Sequence, residues 1–129
     1  MKKILFASLF AILLSACDPT TSAPDHKLSA TDYVGTWYVQ EDCSKNTYSV
    51  TITVNTDDST VVYISNFGQL GNDFQAEALI DEELISILKQ SVDGTEVQGN
   101  GTFSDNKITW SFSINDGTDL TECTATYSR

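Results

Sequence analysis

The sequence predicts an all-β protein, an eight-stranded antiparallel up-and-down barrel closed by a disulfide between its first and last strands. Three observations carry that expectation. From Tyr33 onward polar and apolar residues alternate with period two. Clusters of Asn, Asp, Gly and Ser interrupt the alternation roughly every eight to twelve residues, the spacing of a sandwich or barrel. A pair of cysteines, Cys43 and Cys123, lies near the two ends of the alternating region.

The chain of 129 residues begins with a different pattern. Lys2 and Lys3 precede an apolar run from Ile4 to Leu14 broken only by Ser8, and small residues follow before Cys17. This is the layout of a secretory signal. Eleven positions are too few for a helix across a hydrocarbon core about 30 Å thick. The sequence Leu14-Ser15-Ala16-Cys17 resembles the lipobox of bacterial lipoproteins, in which cleavage precedes the cysteine and the cysteine carries the lipid. That resemblance implies a signal peptide over 1–16, lipidation at Cys17, and a protein tethered to a membrane of a Gram-negative cell envelope without spanning it. Each buried methylene of the acyl chains would add about 0.8 kcal/mol of anchoring. Asp18 resembles a retention signal for the inner membrane in some lineages, so the choice of membrane stays open. Residues 18–30 hold both prolines and mostly small or polar residues, a composition expected to form a flexible tether. Residues 17–32 are therefore lipid-bearing cysteine and tether, and 33–129 the barrel domain.

With Cys17 committed to lipid, Cys43 and Cys123 remain in a chain exported to an oxidising compartment, and a disulfide follows. It would close a loop of about eighty residues and contribute about 4 kcal/mol by chain entropy.

Strands are expected near 35–41, 48–55, 60–66, 74–80, 84–89, 96–103, 107–114 and 120–127. In YSVTITVN, Tyr48, Val50, Ile52 and Val54 share one face, and in KITWSFSI so do Ile108, Trp110, Phe112 and Ile114. In EVQGNGTF the inner face holds Val97, Gly99, Gly101 and Phe103, and two glycines there imply a bend or the close approach of another element. The segment DEELISILKQ would also suit a helical turn or two, but its β-branched content favours a strand. Short connections make sequence neighbours pair as hairpins. Closure removes the two edges that eight strands would leave open.

If Cys43 faces Cys123 in an antiparallel pair, facing residues have numbers that sum to 166. Glu41 then lies by Ala125, Val39 by Tyr127 and Trp37 by Arg129, the only arginine in the chain. Gly35-Thr36-Trp37 resembles the Gly-x-Trp signature of lipocalins and their calycin relatives, in which an Arg from near the barrel's end packs over the Trp. The resemblance implies that Gly35, Trp37 and Arg129 form a structural plug, a cation–π contact of about 0.5 to 2 kcal/mol. The whole chain is similar to small lipocalin-like lipoproteins, although a domain of this length is short for a deep ligand cavity. Avidin-type barrels share the first-strand pattern, but their sites use several tryptophans and this chain has only Trp37 and Trp110.

Charge narrows the function. The formal net charge is -11, with seven bases and eighteen acids; removal of Lys2 and Lys3 with the signal leaves five bases and a net of -13. Such a chain repels a phosphate backbone, which excludes a nucleic-acid partner. The single histidine, His26, sits in the tether, leaving no base to activate a nucleophile in the domain. No catalytic residue, metal site or cofactor is expected. Glu41 shares the parity of Trp37, and a bulge before Cys43 is expected to turn it to solvent. Asp57-Asp58, Asp81-Glu82-Glu83 and the faintly calcium-loop-like Asn115–Asp119 fall in predicted turns.

Two binding modes remain. The calycin resemblance implies a non-enzymatic module holding a small hydrophobic ligand, with Val50, Ile52, Val97, Gly99, Trp110 and Phe112 as the candidate interior beside Trp37. The alternative is a protein-interaction or inhibitor lipoprotein whose acidic surface meets a basic envelope protein. The longest predicted turn, FGQLGND, offers Phe67 and Leu70 as a candidate partner loop.

Overall fold

A computed structural model describes residues 28–44 and 46–129. The expected signal peptide, the Cys17 lipidation site, most of the tether and His26 lie outside the described residues. Among the described residues one short helix, α1 (Ala30–Tyr33), precedes eight strands: β1 (Gly35–Glu41), β2 (Thr47–Val54), β3 (Val61–Ser65), β4 (Gln75–Asp81), β5 (Leu84–Val92), β6 (Thr95–Ser104), β7 (Lys107–Asn115) and β8 (Leu120–Ser128). They form a closed barrel in sequence order, every neighbour antiparallel and β8 returning to β1. The architecture is consistent with a lipocalin-like fold.

Local chemistry places the strands. Asp93-Gly94 and Asp105-Asn106 occupy two-residue hairpin loops with both residues at positive φ, the twist that matches flanking strands. Asp, Asn and Gly reach that region at low cost. Within DEELISILKQ, Asp81 ends β4, Glu82-Glu83 make the turn, and the residues from Leu84 are a strand, β5, which runs on to Val92. Its apolar residues split between faces: Ile85 and Ile87 point inward, while Leu84 and Leu88 point outward.

The register extrapolated from the cysteines is the observed one, with Val39 opposite Tyr127 and Glu41 opposite Ala125. The Cys43–Cys123 disulfide is formed. Cys43 lies two residues past the end of β1, so the bond ties the β1–β2 turn to β8. Asp42 extends the pairing: its N–H donates to Thr124 O at 3.1 Å, and its Oδ1 accepts from Thr124 N–H at 2.8 Å.

The inner faces build one continuous core. Trp37, Val39, Val50, Ile52, Ile64, Ile85, Val97, Ile108, Trp110 and Tyr127 are all buried. The two inward glycines of β6 mark a close approach, as their position implied. A Cβ on Gly101 would fall 2.9 Å from Trp110 Cδ2 and 2.8 Å from Ile85 Cγ2, and one on Gly99 would fall 2.6 Å from Phe112 Cβ. The Trp110 indole occupies the space that a side chain at its cross-strand neighbour would take. Ala30 joins the core from α1, so the ordered domain reaches back into the segment expected to be tether.

Candidate functional site

At the end where β1 begins, the side chain of Arg129 spans the opening. Its guanidinium carbon stands 4.0 Å from the Trp37 ring centroid. Nη1 donates to Val34 O at 2.8 Å and Nη2 to Asp32 O at 2.6 Å, while Trp37 Nε1 donates to Tyr33 O at 2.7 Å. The rigid guanidinium fork thus satisfies two carbonyls at the exit of α1. Gly35 has φ +132°, and a Cβ there would lie 3.2 Å from Arg129 Nη1; both backbone conformation and space favour glycine. Tyr33 and Phe103 pack edge to face behind Trp37.

The opposite end is built differently. After β3 the chain turns through Asn66 in the left-handed region into a 3-10 turn, Phe67–Gln69. Asn66 holds this loop: Nδ2 donates to Ser49 O and Oδ1 accepts from Gly71 N–H. The turn drives Phe67 into the barrel, where it is fully buried and packs edge to face on Trp110 and Phe112, with centroids at 5.7 and 4.9 Å. Leu70 packs partly buried against the same core. The expectation of Phe67 and Leu70 as an exposed partner loop is therefore corrected: the loop folds inward and closes the barrel, because burying a phenyl ring contributes more than leaving it wet.

Glu41 is also corrected. No bulge turns it outward; β1 keeps its alternation to the last residue, and Glu41 is buried at 7% exposure. It accepts a 2.7 Å hydrogen bond from the Tyr48 hydroxyl. Burial, and then the hydrogen bond to Glu41, raise the Tyr48 pKa well above that of a free phenol. Burial, reinforced by the negative potential of Tyr48 and Glu41, raises Tyr127 likewise. The Tyr127 hydroxyl and the Trp110 indole N–H are buried without a hydrogen-bond partner among the described residues. Strand parity was the available signal for Glu41; for Phe67 no periodicity exists inside a turn.

The candidate interior residues do come together. Val50, Ile52, Val97, Gly99, Trp110 and Phe112 line the inner wall. The volume they surround is filled by Trp37, Phe67, Tyr127 and the isoleucines of β2, β3, β5 and β7. Open space lies outside, in a groove of about 660 Å³ on the β5–β8 wall, lined by Leu84, Ser86, Asn100, Thr102, Thr109 and Thr124 among others.

Acids cluster in the turns at both ends. Asp58 accepts from Thr60 N–H and Oγ1–H, and Asp116 from the N–H groups of Thr118 and Asp119. These bonds to the charged form lower both carboxyl pKa values. Asn115–Asp119 is thus a hairpin turn stitched by its own Asx bonds. Asp42 is lowered chiefly by the Thr124 N–H.

No family model, curated protein or solved structure matches this chain.

Proposed function

We propose that this chain is a non-enzymatic, lipid-anchored binding module of a Gram-negative cell envelope, held to the membrane through Cys17, and that it engages a basic envelope protein through its acidic turns. One observation supports the protein-binding mode above the others: the interior is occupied by the protein's own side chains, while Asp57, Asp58, Asp81, Glu83, Asp116 and Asp119 stand exposed at the ends. Such fields steer a basic partner and weaken with salt. The test is capture of envelope proteins by the full chain at low and physiological salt. Salt-sensitive retention of a basic protein, lost when Asp57 and Asp58 or Asp116 and Asp119 become Lys, is expected; salt-insensitive retention overturns the reading. Anchoring is tested separately by the mass of the mature chain, which should begin at an acylated Cys17 and lose its lipid in Cys17→Ala.

A small hydrophobic ligand inside the barrel is the second reading, favoured by the unpaired Tyr127 hydroxyl and Trp110 N–H. Entry would need Phe67 to swing out. A mass lost on denaturation in native mass spectrometry, and abolished by Gly101→Trp, would select this reading.

A further inference from the structure

The outer face of β5 carries a sequence that is its own mirror. Leu84-Ile85-Ser86-Ile87-Leu88 reads identically in both directions about Ser86, and the flanking residues are Glu83 and Lys89, opposite in charge. Ile85 and Ile87 are consumed by the core. Leu84 and Leu88 face out, 47% and 62% exposed, and Leu79, which pairs with Ser86 across β4, is 40% exposed. Three of the five exposed large apolar side chains among the described residues therefore form one strip. The β-bulge between Ile87 and Gln90 puts Leu88 and Lys89 both at the surface.

We infer that this strip is the interface of a two-fold dimer, with a second copy of this chain as its occupant. A rotation about an axis that lies in the plane of contact and passes over β5 at Ser86 lays Leu84 against the second copy's Leu88, and sets Glu83 beside the second copy's Lys89, twice over. Lys89 also lies 3.3 Å from Glu96 of its own chain, so in the dimer its ammonium is shared between two carboxylates. This is the self-complementarity that an isologous contact requires, and a foreign partner would not require it. The groove beside Leu84 on the β6–β7 side is lined by Ser86, Asn100, Thr102, Thr109 and Ser111 with no charged side chain, while the one beside Leu88 carries Lys89 and Glu122. On the β4 side Glu77 and Asp81 flank Leu79 on the outer face, so the two-fold brings Glu77 toward the second copy's Asp81, a repulsion that opposes the contact. The remaining repulsion between distant charges is screened beyond about 8 Å at physiological salt. The same net charge disfavours an anionic membrane as the occupant.

A second observation falls at the same place. The β4–β5 seam has only three register pairs, Leu79–Ser86, Ile80–Ile85 and Asp81–Leu84. Beyond them a side chain stands in for backbone: Gln90 Oε1 accepts from Glu77 N–H and Nε2 donates to Glu77 O, each at 2.8 Å. A second copy on the strip would cover the least zipped seam of the barrel.

The test uses the full chain. Mild oxidation of Ser86→Cys should give a band of twice the chain's mass, absent for Thr53→Cys on the outer face of β2 and lost when Leu88→Asp is added. The unsubstituted chain, extracted in a mild detergent, should sediment as a dimer at physiological salt. Lys89→Glu should weaken that dimer roughly tenfold, because two exposed ion pairs are lost at about threefold each, and Glu83→Lys in the same chain should restore it. Monomeric sedimentation of the unsubstituted chain overturns the inference, as does a Ser86→Cys adduct of any other mass. A dimer indifferent to Leu88→Asp overturns it equally, and failure of the charge swap to restore affinity overturns the two-fold arrangement.

Discussion

At the end where β1 begins, one cation, one indole and three backbone carbonyls close the barrel through a cation–π contact and three hydrogen bonds. At the other end closure comes from a loop phenylalanine, a covalent bond and a buried carboxylate, and two polar atoms inside the barrel are left unpaired. The first end is held by directional contacts that fix a single arrangement. The second relies on apolar burial and a cross-link, which stabilise strongly and specify geometry less. Any motion that admits a ligand or partner to the interior should begin at the Phe67 end.

The cross-link is the greatest single difference between the two ends. With a sequence separation of 80 between the cysteines, its loss should cost about 4 kcal/mol. Chemical denaturation of Cys43→Ser/Cys123→Ser against the unsubstituted protein measures this directly. The comparison breaks if the loss is under about 1 kcal/mol, because the loop and strands would then close that end unaided.

Phe67→Ala comes next. Truncating a fully buried phenyl ring typically costs about 3 kcal/mol or more, and here it also removes the faces packed on Trp110 and Phe112. Trp110 fluorescence should shift to the red as water enters at this end. An unchanged spectrum would mean that Leu70 closes the gap.

The buried polar group at the same end gives a smaller effect with a pH signature. Tyr48→Phe removes the donor to Glu41, and leaving a buried acceptor unpaired costs about 2 kcal/mol. The pKa values of Tyr33, Tyr48 and Tyr127 are all raised in the fold. The folded state therefore holds phenolic protons that the unfolded state releases near pH 10. The resulting stability is complete below about pH 10 and falls as pH rises above it. Urea midpoints at neutral and alkaline pH should show that fall, and Tyr48→Phe should make it shallower; a flat profile would count against burial of these phenols.

The plug is expected to move stability less. Arg129→Ala removes a cation–π contact and two hydrogen bonds, about 2 kcal/mol in all. Arg129→Lys should recover only part, because an ammonium cannot fork to two carbonyls. If Lys restores everything, the plug is a point charge and the contrast between the ends weakens.

The same contrast explains what could be foreseen. Strand parity and the cysteine pair lead from residue numbers alone to Val39 opposite Tyr127 and Arg129 opposite Trp37, because a two-residue period carries register along the whole strand; the packing of Arg129 over the indole comes from the resemblance to lipocalins. Parity also points Glu41 inward, and only the general cost of burying a carboxylate argues otherwise; the missing fact is Tyr48, placed within reach by the β1–β2 register that sets Tyr48 opposite Val39. Phe67 is not legible at all. Its direction depends on Asn66 at positive φ and on the bond from Asn66 Nδ2 to Ser49 O, contacts across the fold that no local pattern encodes. Whether the interior is filled likewise depends on strand tilt and shear together with residue size.

The smallest effect sits between the two ends, at the β4–β5 seam. Gln90 bonds Glu77 through both its amide atoms and also donates to Leu88 O at 2.9 Å, replacing the ladder that the bulge interrupts. Gln90→Met keeps the length and the apolar contact but deletes the amide. These groups are exposed, so water can take over the bonds and the global loss should be about 1 kcal/mol. The local effect should be larger in proportion: hydrogen exchange of the Glu77 amide should accelerate, while amides at the Arg129 plug keep their rates. Acceleration at both places would mean that the seam and the plugged end open together as one unit. Acceleration confined to Glu77 would make the β4–β5 seam a part of the wall that yields independently of either end.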